Sequence, residues 1–198
     1  MFVTFEGMDG SGKTTQVERL RTTLEAEGRE VVTAREPGQT ELGEAIRDLV
    51  LHGGQMTPWA EALLYAASRA EVVAEVVRPA LERGADVLLD RYVDSSIVYQ
   101  GIGRGLGVDE VLEVNLLATG GLLPDRTFVL AVEPGTSSAR VGSKPDRIER
   151  EDAAFHERVA DGYEQLASLF PERVVVLDGA LDPDTLASKV LNELRRPA

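Results

Sequence analysis

The sequence predicts an α/β protein: one parallel sheet of about five strands, covered on both faces by helices and closed by a short polar lid. Three observations predict it. Short apolar runs alternate with longer amphipathic ones along the whole chain. The apolar runs are nearly continuous rather than alternating polar and apolar, so both faces of their sheet are expected to be buried. The chain has 198 residues, 43% of them hydrophobic, which suits one core. Residues 1–198 are therefore read as a single domain with right-handed crossovers.

The elements follow in order. Phe2–Glu6 reads as a strand stopped at Gly7. A helix is predicted from Lys13 to about Glu27, with Val17, Leu20 and Leu24 on one stripe and Gly28 as its stop. Val31–Ala34 reads as a second strand, ended by Pro37-Gly38, and Glu41–Leu51 as a helix ended by Gly53-Gly54. The pattern predicts a long helix over Pro58–Glu82, with Trp59, Leu63, Ala66, Ala70, Val73, Val77 and Leu81 facing the core and Pro79 in its last turns. Val87–Asp90 is a buried-type strand. Gln100–Gly107 reads as a glycine-rich loop, Val108–Ala118 as a helix and Thr127–Val132 as a strand closed by Pro134-Gly135. Arg140–Glu151 is too polar for the core and is read as the lid. A helix over Ala153–Phe170 carries Phe155, Val159, Tyr163, Leu166 and Phe170 on one face. Val174–Leu177 and Thr185–Leu194 complete the pattern as strand and helix.

Composition excludes several function classes. There is no cysteine, so disulfides, thiolate zinc sites and cysteine nucleophiles are out. With only His52 and His156, both read as surface residues, a histidine metal site is not expected. The charge sum of −13 argues against nucleic-acid polymers and anionic membranes as partners. No run is long and apolar enough for a membrane span, and the first residues lack the pattern of a signal peptide. Of 21 basic residues only Lys13, Lys144 and Lys189 are lysines. An anion bound by this acidic chain must be held by local cations.

Gly7-Met8-Asp9-Gly10-Ser11-Gly12-Lys13-Thr14 matches G-x-x-x-x-G-K-[ST], between a strand and an amphipathic helix. The glycines allow backbone N–H groups to turn inward around phosphate oxygens, and the helix N-terminus adds its positive dipole end. In such a loop the lysine reaches the β- and γ-phosphates and the Ser/Thr hydroxyl ligates Mg²⁺. Gly7 to Thr14, with Thr15, are the expected ATP-binding residues. The fold expected is then the three-layer P-loop NTPase fold. A phosphate loop alone leaves a kinase, a GTPase switch and a motor ATPase open. Ser143-Lys-Pro-Asp146 resembles a guanine-reading motif only superficially, and Asp90-Arg-Tyr-Val is no Asp-x-x-Gly. A strand ending in Asp90 and Arg91 suits a group-transfer kinase, Asp90 toward Mg²⁺ and Arg91 toward a phosphate. If the acceptor is itself a phosphate, two polyanions meet and several cations are needed. Arg35, Arg47, Arg69 and Arg91 are candidates, although each alone could be a surface ion pair. Tyr65 and Arg69 share a helix face and could stack on and hydrogen-bond a base. Another nucleoside kinase and a slow nucleotide switch remain open on these residues alone.

Five blocks go further: Phe5–Gln16, Arg35-Glu-Pro-Gly-Gln-Thr40, Ala66-Ala-Ser-Arg69, Asp90-Arg-Tyr-Val-Asp-Ser-Ser-Ile-Val-Tyr-Gln100 and Asp146-Arg-Ile-Glu149. Together they resemble bacterial thymidylate kinases over essentially the whole length. The resemblance implies transfer of the ATP γ-phosphoryl group to dTMP with Mg²⁺, in a cytoplasmic homodimer. It implies that Asp9 contacts the 3′-hydroxyl, that Arg35, Glu36 and Arg47 line the monophosphate side, and that Arg91 bridges acceptor phosphate and reaction centre. Tyr65, where the family usually has Phe, would stack on thymine. Arg69, Ser96 and Gln100 would read the base edge, and Tyr99 would crowd the 2′ position. Thr14 and Asp90 would hold the metal. Two departures stand out. Gly10 stands where eukaryotic-type members carry an arginine, so the transition-state cation must come from the lid. Yet Gly142 falls where some members have that lid arginine, which leaves Arg140 and Arg147, ahead of Lys144, to join Lys13 and Arg91 as the catalytic cations.

Overall fold

The computed structural model describes residues 1–132 and 145–196. Five strands form one parallel sheet in the order β2-β3-β1-β4-β5. They are β1 (Phe2–Glu6), β2 (Val31–Arg35), β3 (Asp86–Asp90), β4 (Arg126–Ala131) and β5 (Val174–Asp178). The strand period of two sorts their side chains onto two faces. Val3, Phe5, Leu88 and Phe128 point to one face, where Val17, Leu20 and Leu24 of α1 (Lys13–Ala26) and Val190 of α8 (Pro183–Leu194) cover them. Phe2, Val87, Leu89 and Val129 point to the other, larger cluster with Val72, Val73, Val77, Ile97, Phe155, Val159 and Leu166. All five carboxyl ends lie at one edge, where folds of this kind place their ligands.

The remaining helices are α2 (Glu41–His52), α3 (Pro58–Val72), α4 (Arg78–Glu82), α5 (Val93–Ser96), α6 (Val108–Thr119) and α7 (Ala153–Leu169). Element ends fall within two residues of the sequence expectation for all strands and most helices. The first departure is the long helix. Pro58–Glu82 is one helical run, but Val73–Val77 is π-helical, a wider turn between α3 and α4. Its core face also differs from the expected stripe. Trp59 and Leu63 are exposed, and the buried positions of α3 are Glu61, Ala62, Ala66, Ser68, Arg69 and Val72. A stripe drawn through apolar residues cannot register buried charges, and here the buried charges set the helix phase.

The second departure is at Gln100. The predicted glycine loop is π-helical over Ile97–Gly103 and continues directly from α5. Gly101 and Gly103 serve close approach, while Gly105 and Gly107 turn the chain with positive φ. A Cβ at Gly103 would lie 2.9 Å from the Phe155 ring on α7. Of the expected lid, residues 145–151 are described. Arg140, Gly142 and Lys144 lie outside the described residues. His52 is exposed as expected, while His156 is half-buried beside the Phe155 ring.

Candidate active site

The phosphate loop leaves β1 at Gly7, whose φ of 133° and whose contact with the Leu130 carbonyl admit no side chain. Gly10 and Gly12 also take positive φ. Lys13 is buried at the start of α1, and its Nζ donates to the carbonyls of Gly7 (3.1 Å) and Met8 (2.9 Å). Burial, then the Arg91 charge, push its ammonium down to about 8. Residues 9 to 15 line a cleft of about 1410 Å³ together with Arg35, Arg47, Asp90 and Arg91. At its other end the cleft is bordered by Gly179, Leu181, Pro183 and Leu186, the turn after β5 and the start of α8.

Thr14 Oγ1 donates to Asp90 Oδ2 at 2.6 Å, so the loop hydroxyl and the β3 carboxylate stand together at the cleft. One hydroxyl and one carboxylate, with phosphate oxygens, are the hard oxygen donors that Mg²⁺ takes beside several waters. Among the described residues no group of three or more His, Asp or Glu could hold an ion by itself. The donor set therefore fits a metal that arrives with a phosphorylated ligand.

A second pocket, of about 570 Å³, adjoins the first. Every expected acceptor residue except Arg35 lines it: Asp9, Glu36, Arg47, Tyr65, Arg69, Arg91, Ser96, Tyr99 and Gln100. Arg35 lines the phosphate-loop cleft and is exposed, paired at 2.9 Å with Glu44. Asp9, Glu36, Arg47 and Arg91 line both spaces. A phosphoryl group passing between them would travel past these four side chains.

Arg91 is held by three side chains. It follows β3 with φ 71°, unusual for a residue with a side chain, which aims it back over the sheet edge. Its Nη2 donates to Asp9 Oδ1 at 2.6 Å, and its Nη1 donates to Ser95 Oγ and Tyr163 Oη, both at 3.0 Å. Its guanidinium lies 5.4 Å from the centre of the Tyr99 ring. Asp9 is held down at about 2: burial opposes this, but the charges of Arg91 and Lys13 outweigh it. Beneath Ser95 lies Glu6, fully buried, which accepts from Ser95 Oγ (2.6 Å) and the Tyr92 amide (2.7 Å). Burial, reinforced by the Asp94 charge, pushes the Glu6 carboxyl up to about 8. Ser95, Tyr163 and Glu6 were not singled out from sequence. The available signal was Tyr163, whose hydroxyl sits in a buried stripe and so needs a partner.

Arg69 is buried, with its donors nearly spent. Nε donates to Glu36 at 2.7 Å, Nη1 to Ser96 Oγ at 2.9 Å and to Asn115, and Nη2 to the Tyr92 carbonyl at 2.9 Å. A guanidinium carries five N–H groups, so one remains for a ligand in the pocket. Ser96 thus orients Arg69. Glu36, despite that arginine, is pushed up to about 7 by burial. Arg47 Nη1 donates to the Pro37 carbonyl at 2.9 Å, and burial and then Arg35 push its guanidinium below the usual range. An anion placed between them would relieve that repulsion.

Arg147 stands apart from the other expected cations. Its Nε donates to the Val50 carbonyl (2.8 Å) and its Nη1 to Glu61 (2.7 Å), and it lines neither the cleft nor the acceptor pocket. Its charge is committed to a buried carboxylate, so it is not brought together with Lys13 and Arg91. Glu61 and Asn115, also missed from sequence, carry no motif that announces them.

Comparison with known proteins decides the family. The thymidylate kinase family model matches residues 5–190. The chain belongs to the thymidylate kinase family. A thymidylate kinase of Bifidobacterium longum (strain DJO10A) is 47% identical over 203 aligned positions, spanning 100% of this chain and 98% of that protein. One from Clavibacter michiganensis is 50% identical over 194, spanning 96% and 92%. The crystal structure of a thymidylate kinase from Ehrlichia chaffeensis superposes with a TM-score of 0.81 at 33% identity, covering 98% of each chain. The five-stranded parallel sheet is thus that of a P-loop thymidylate kinase.

Proposed function

We infer that this thymidylate kinase transfers the γ-phosphoryl group of ATP to dTMP, giving ADP and dTDP. One observation carries the reading: a base-sized pocket opens onto the phosphate-loop cleft through Asp9, Glu36, Arg47 and Arg91. In the reading, ATP lies along residues 9 to 15, with its adenine toward Gly179 and Leu181. Thr14 and Asp90 hold Mg²⁺, which neutralises phosphate charge when bound. The acceptor base lies against Tyr65, with Arg69 and Gln100 at its edge. Tyr99 stands beside the sugar, and Asp9 meets its 3′-hydroxyl. Arg35 and Arg47 attract the monophosphate.

The acceptor oxygen is already ionised near neutral pH, so no general base is required. Catalysis is positioning plus charge neutralisation. Lys13 and Arg91, both lining the cleft, supply the cations. Arg91 is kept in place by Asp9, Ser95 and Tyr163, so little reorganisation accompanies the transfer. Arg140, with residues 140–151 as lid, remains our candidate for the further cation. No described helix is long and apolar enough to cross a membrane. A cytoplasmic location is supported by the dependence on ATP.

A homodimer is supported by exposed Leu42 and Leu49 on α2, Trp59 and Leu63 on α3 and Leu117 on α6. These helices pack side by side, α2 on α3 and α3 on α6. Sedimentation of a Leu63→Glu, Leu117→Glu variant tests it, with a monomer expected. The activity itself is tested by coupled ADP release with dTMP, dUMP, dCMP, dGMP and thymidine. Turnover should require an acceptor and be fastest with dTMP. ATP consumption indifferent to the acceptor would reject the reading.

A further inference from the structure

Glu61 is 1% exposed on α3, one turn before Tyr65, and lines neither the cleft nor the acceptor pocket. A carboxylate is buried only where donors surround it. Here Oε1 accepts from Gln100 Nε2 (2.9 Å) and Arg104 Nε (3.2 Å), and Oε2 accepts from Arg104 Nη2 (3.0 Å) and Arg147 Nη1 (2.7 Å). Burial alone would raise its carboxyl, but hydrogen bonds from Arg104, Gln100 and Arg147 hold it below the usual range. It is therefore an ionised, acceptor-only group.

That chemistry has a consequence for Gln100. The two ends of a side-chain amide are nearly equal in size, and only the hydrogen-bond network chooses between them. A carboxylate without a proton can face only the NH₂ end. The Gln100 oxygen is thereby left for the pocket that Gln100 lines. The anchor is stiff: Gln100 lies in the π-helical stretch, and Arg104, five residues after Tyr99, donates its amide to the Tyr99 carbonyl at 2.9 Å. Arg147 ties the same carboxylate to the end of α2 through the Val50 and Leu51 carbonyls.

We propose that Glu61 is a positioning residue for base selection: it locks the Gln100 amide with its oxygen toward the pocket, so the site accepts a pyrimidine with an N3–H donor and rejects one whose N3 is an acceptor. The proposal rests on the reading of this pocket as the dTMP site. Thymine N3–H meets the locked oxygen as donor to acceptor. Cytosine N3 would bring a lone pair against it, leaving two buried acceptors unpaired. Released from Glu61, the amide is free to turn over and the distinction weakens. Arg104 and Arg147 play a supporting part, because their charges keep Glu61 ionised.

Two variants separate locking from folding. Glu61→Gln removes the charge and allows either amide orientation at both positions. Glu61→Asp keeps the charge for the two arginines but draws the carboxylate back from Gln100 by one methylene. Both are compared with Gln100→Met and with the double variant Glu61→Asp, Gln100→Met. The readouts are kcat/KM for dTMP and for dCMP, and the thermal midpoint. Both Glu61 variants should reduce the dTMP-to-dCMP ratio by about tenfold or more, chiefly through KM for dTMP. In the Gln100→Met background, Glu61→Asp should move the ratio no further. If Glu61→Gln fails to fold, Glu61→Asp decides alone. Equal losses for both acceptors, or a shifted ratio without Gln100, would overturn the lock and leave Glu61 a structural counter-charge. A wild-type enzyme taking dCMP as readily as dTMP would instead sink the reading of the pocket, and the lock with it.

Discussion

The donor cleft and the acceptor pocket share four side chains but are built differently. The donor side is dominated by one stretch of chain, Gly7 to Thr15, with one lysine and one hydroxyl, to which Asp90 and the turn after β5 are added. Gly7, Met8, Ser11 and Lys13 are buried, Asp9, Gly10 and Gly12 half-buried, and Thr14 and Thr15 exposed. The acceptor side collects side chains from the turns after β1, β2 and β3, from α2, α3 and α5, and from the π-helical stretch after α5. Several of these are buried charges: Glu36, Arg69 and, behind them, Glu61. The difference teaches where stability and function are tied together. A loop of backbone donors can lose its lysine and still fold. A pocket made of paired buried charges cannot lose one member without leaving the other uncompensated.

The sharpest way to break this contrast is Lys13→Met. Turnover should fall by at least about 100-fold, because the transferred phosphoryl group loses a cation in a dry site. The thermal midpoint should not fall, since burial already works against the Lys13 charge. A variant keeping a tenth of kcat, or one that melts much earlier, would erase the distinction. On the acceptor side, Arg69→Ala should cost stability as well as dTMP binding. Stranding Glu36 beside the vacated hub is expected to remove about 3–5 kcal/mol from unfolding free energy, read by urea titration. A loss confined to dTMP affinity would show the hub to be dispensable for folding.

A third experiment addresses the carboxyl that lies beneath both regions. Glu6 has a folded value near 8 against an ordinary value of 4.5. The folded state therefore binds its proton more readily than the unfolded chain does. Its stabilising contribution is complete below about pH 4.5 and is lost as pH rises through about 8. Glu6→Gln should thus gain stability relative to wild type between pH 6 and pH 8, measured as the difference in unfolding free energy. Parallel curves across that interval would mean Glu6 stays ionised. The smallest effect is expected at Arg35, whose partner Glu44 is exposed. Arg35→Ala should change stability by less than about 1 kcal/mol, while raising KM for dTMP. A larger stability loss would make this cation part of the buried network.

How much of this was legible depended on the range of the interaction. β1, the phosphate loop and α1 could be read because their signals lie within a few adjacent residues. Asp90 and Arg91 could be placed because strand ends gather at one edge of a parallel sheet. Trp59 and Leu63 were expected inside and are outside, because the buried face of α3 is organised by Glu61 and Arg69 rather than by its apolar residues. The Gln100–Gly107 glycines suggested a loop, yet Gly101 and Gly103 belong to a helix, where Gly103 packs against Phe155 on α7, and only Gly105 and Gly107 turn with positive φ. Arg147 looked like a lid cation in isolation, and only its contact with Glu61 shows where its charge is used.

By itself the sequence determined the strand–helix alternation, the phosphate loop and the family blocks that mark the acceptor residues. Those are local patterns, governed by periodicity, glycine freedom and residue chemistry over short spans. It took the tertiary fold to clamp Arg91 between Asp9, Ser95 and Tyr163 and to turn the Gln100 amide nitrogen toward Glu61. The physical reason is that a buried charge or amide takes its state from partners far along the chain. Arg91 and Tyr163 are separated by 72 residues, and Glu61 and Arg147 by 86. Folding brings those donors and acceptors within hydrogen-bond distance, and desolvation then gives each pairing its weight.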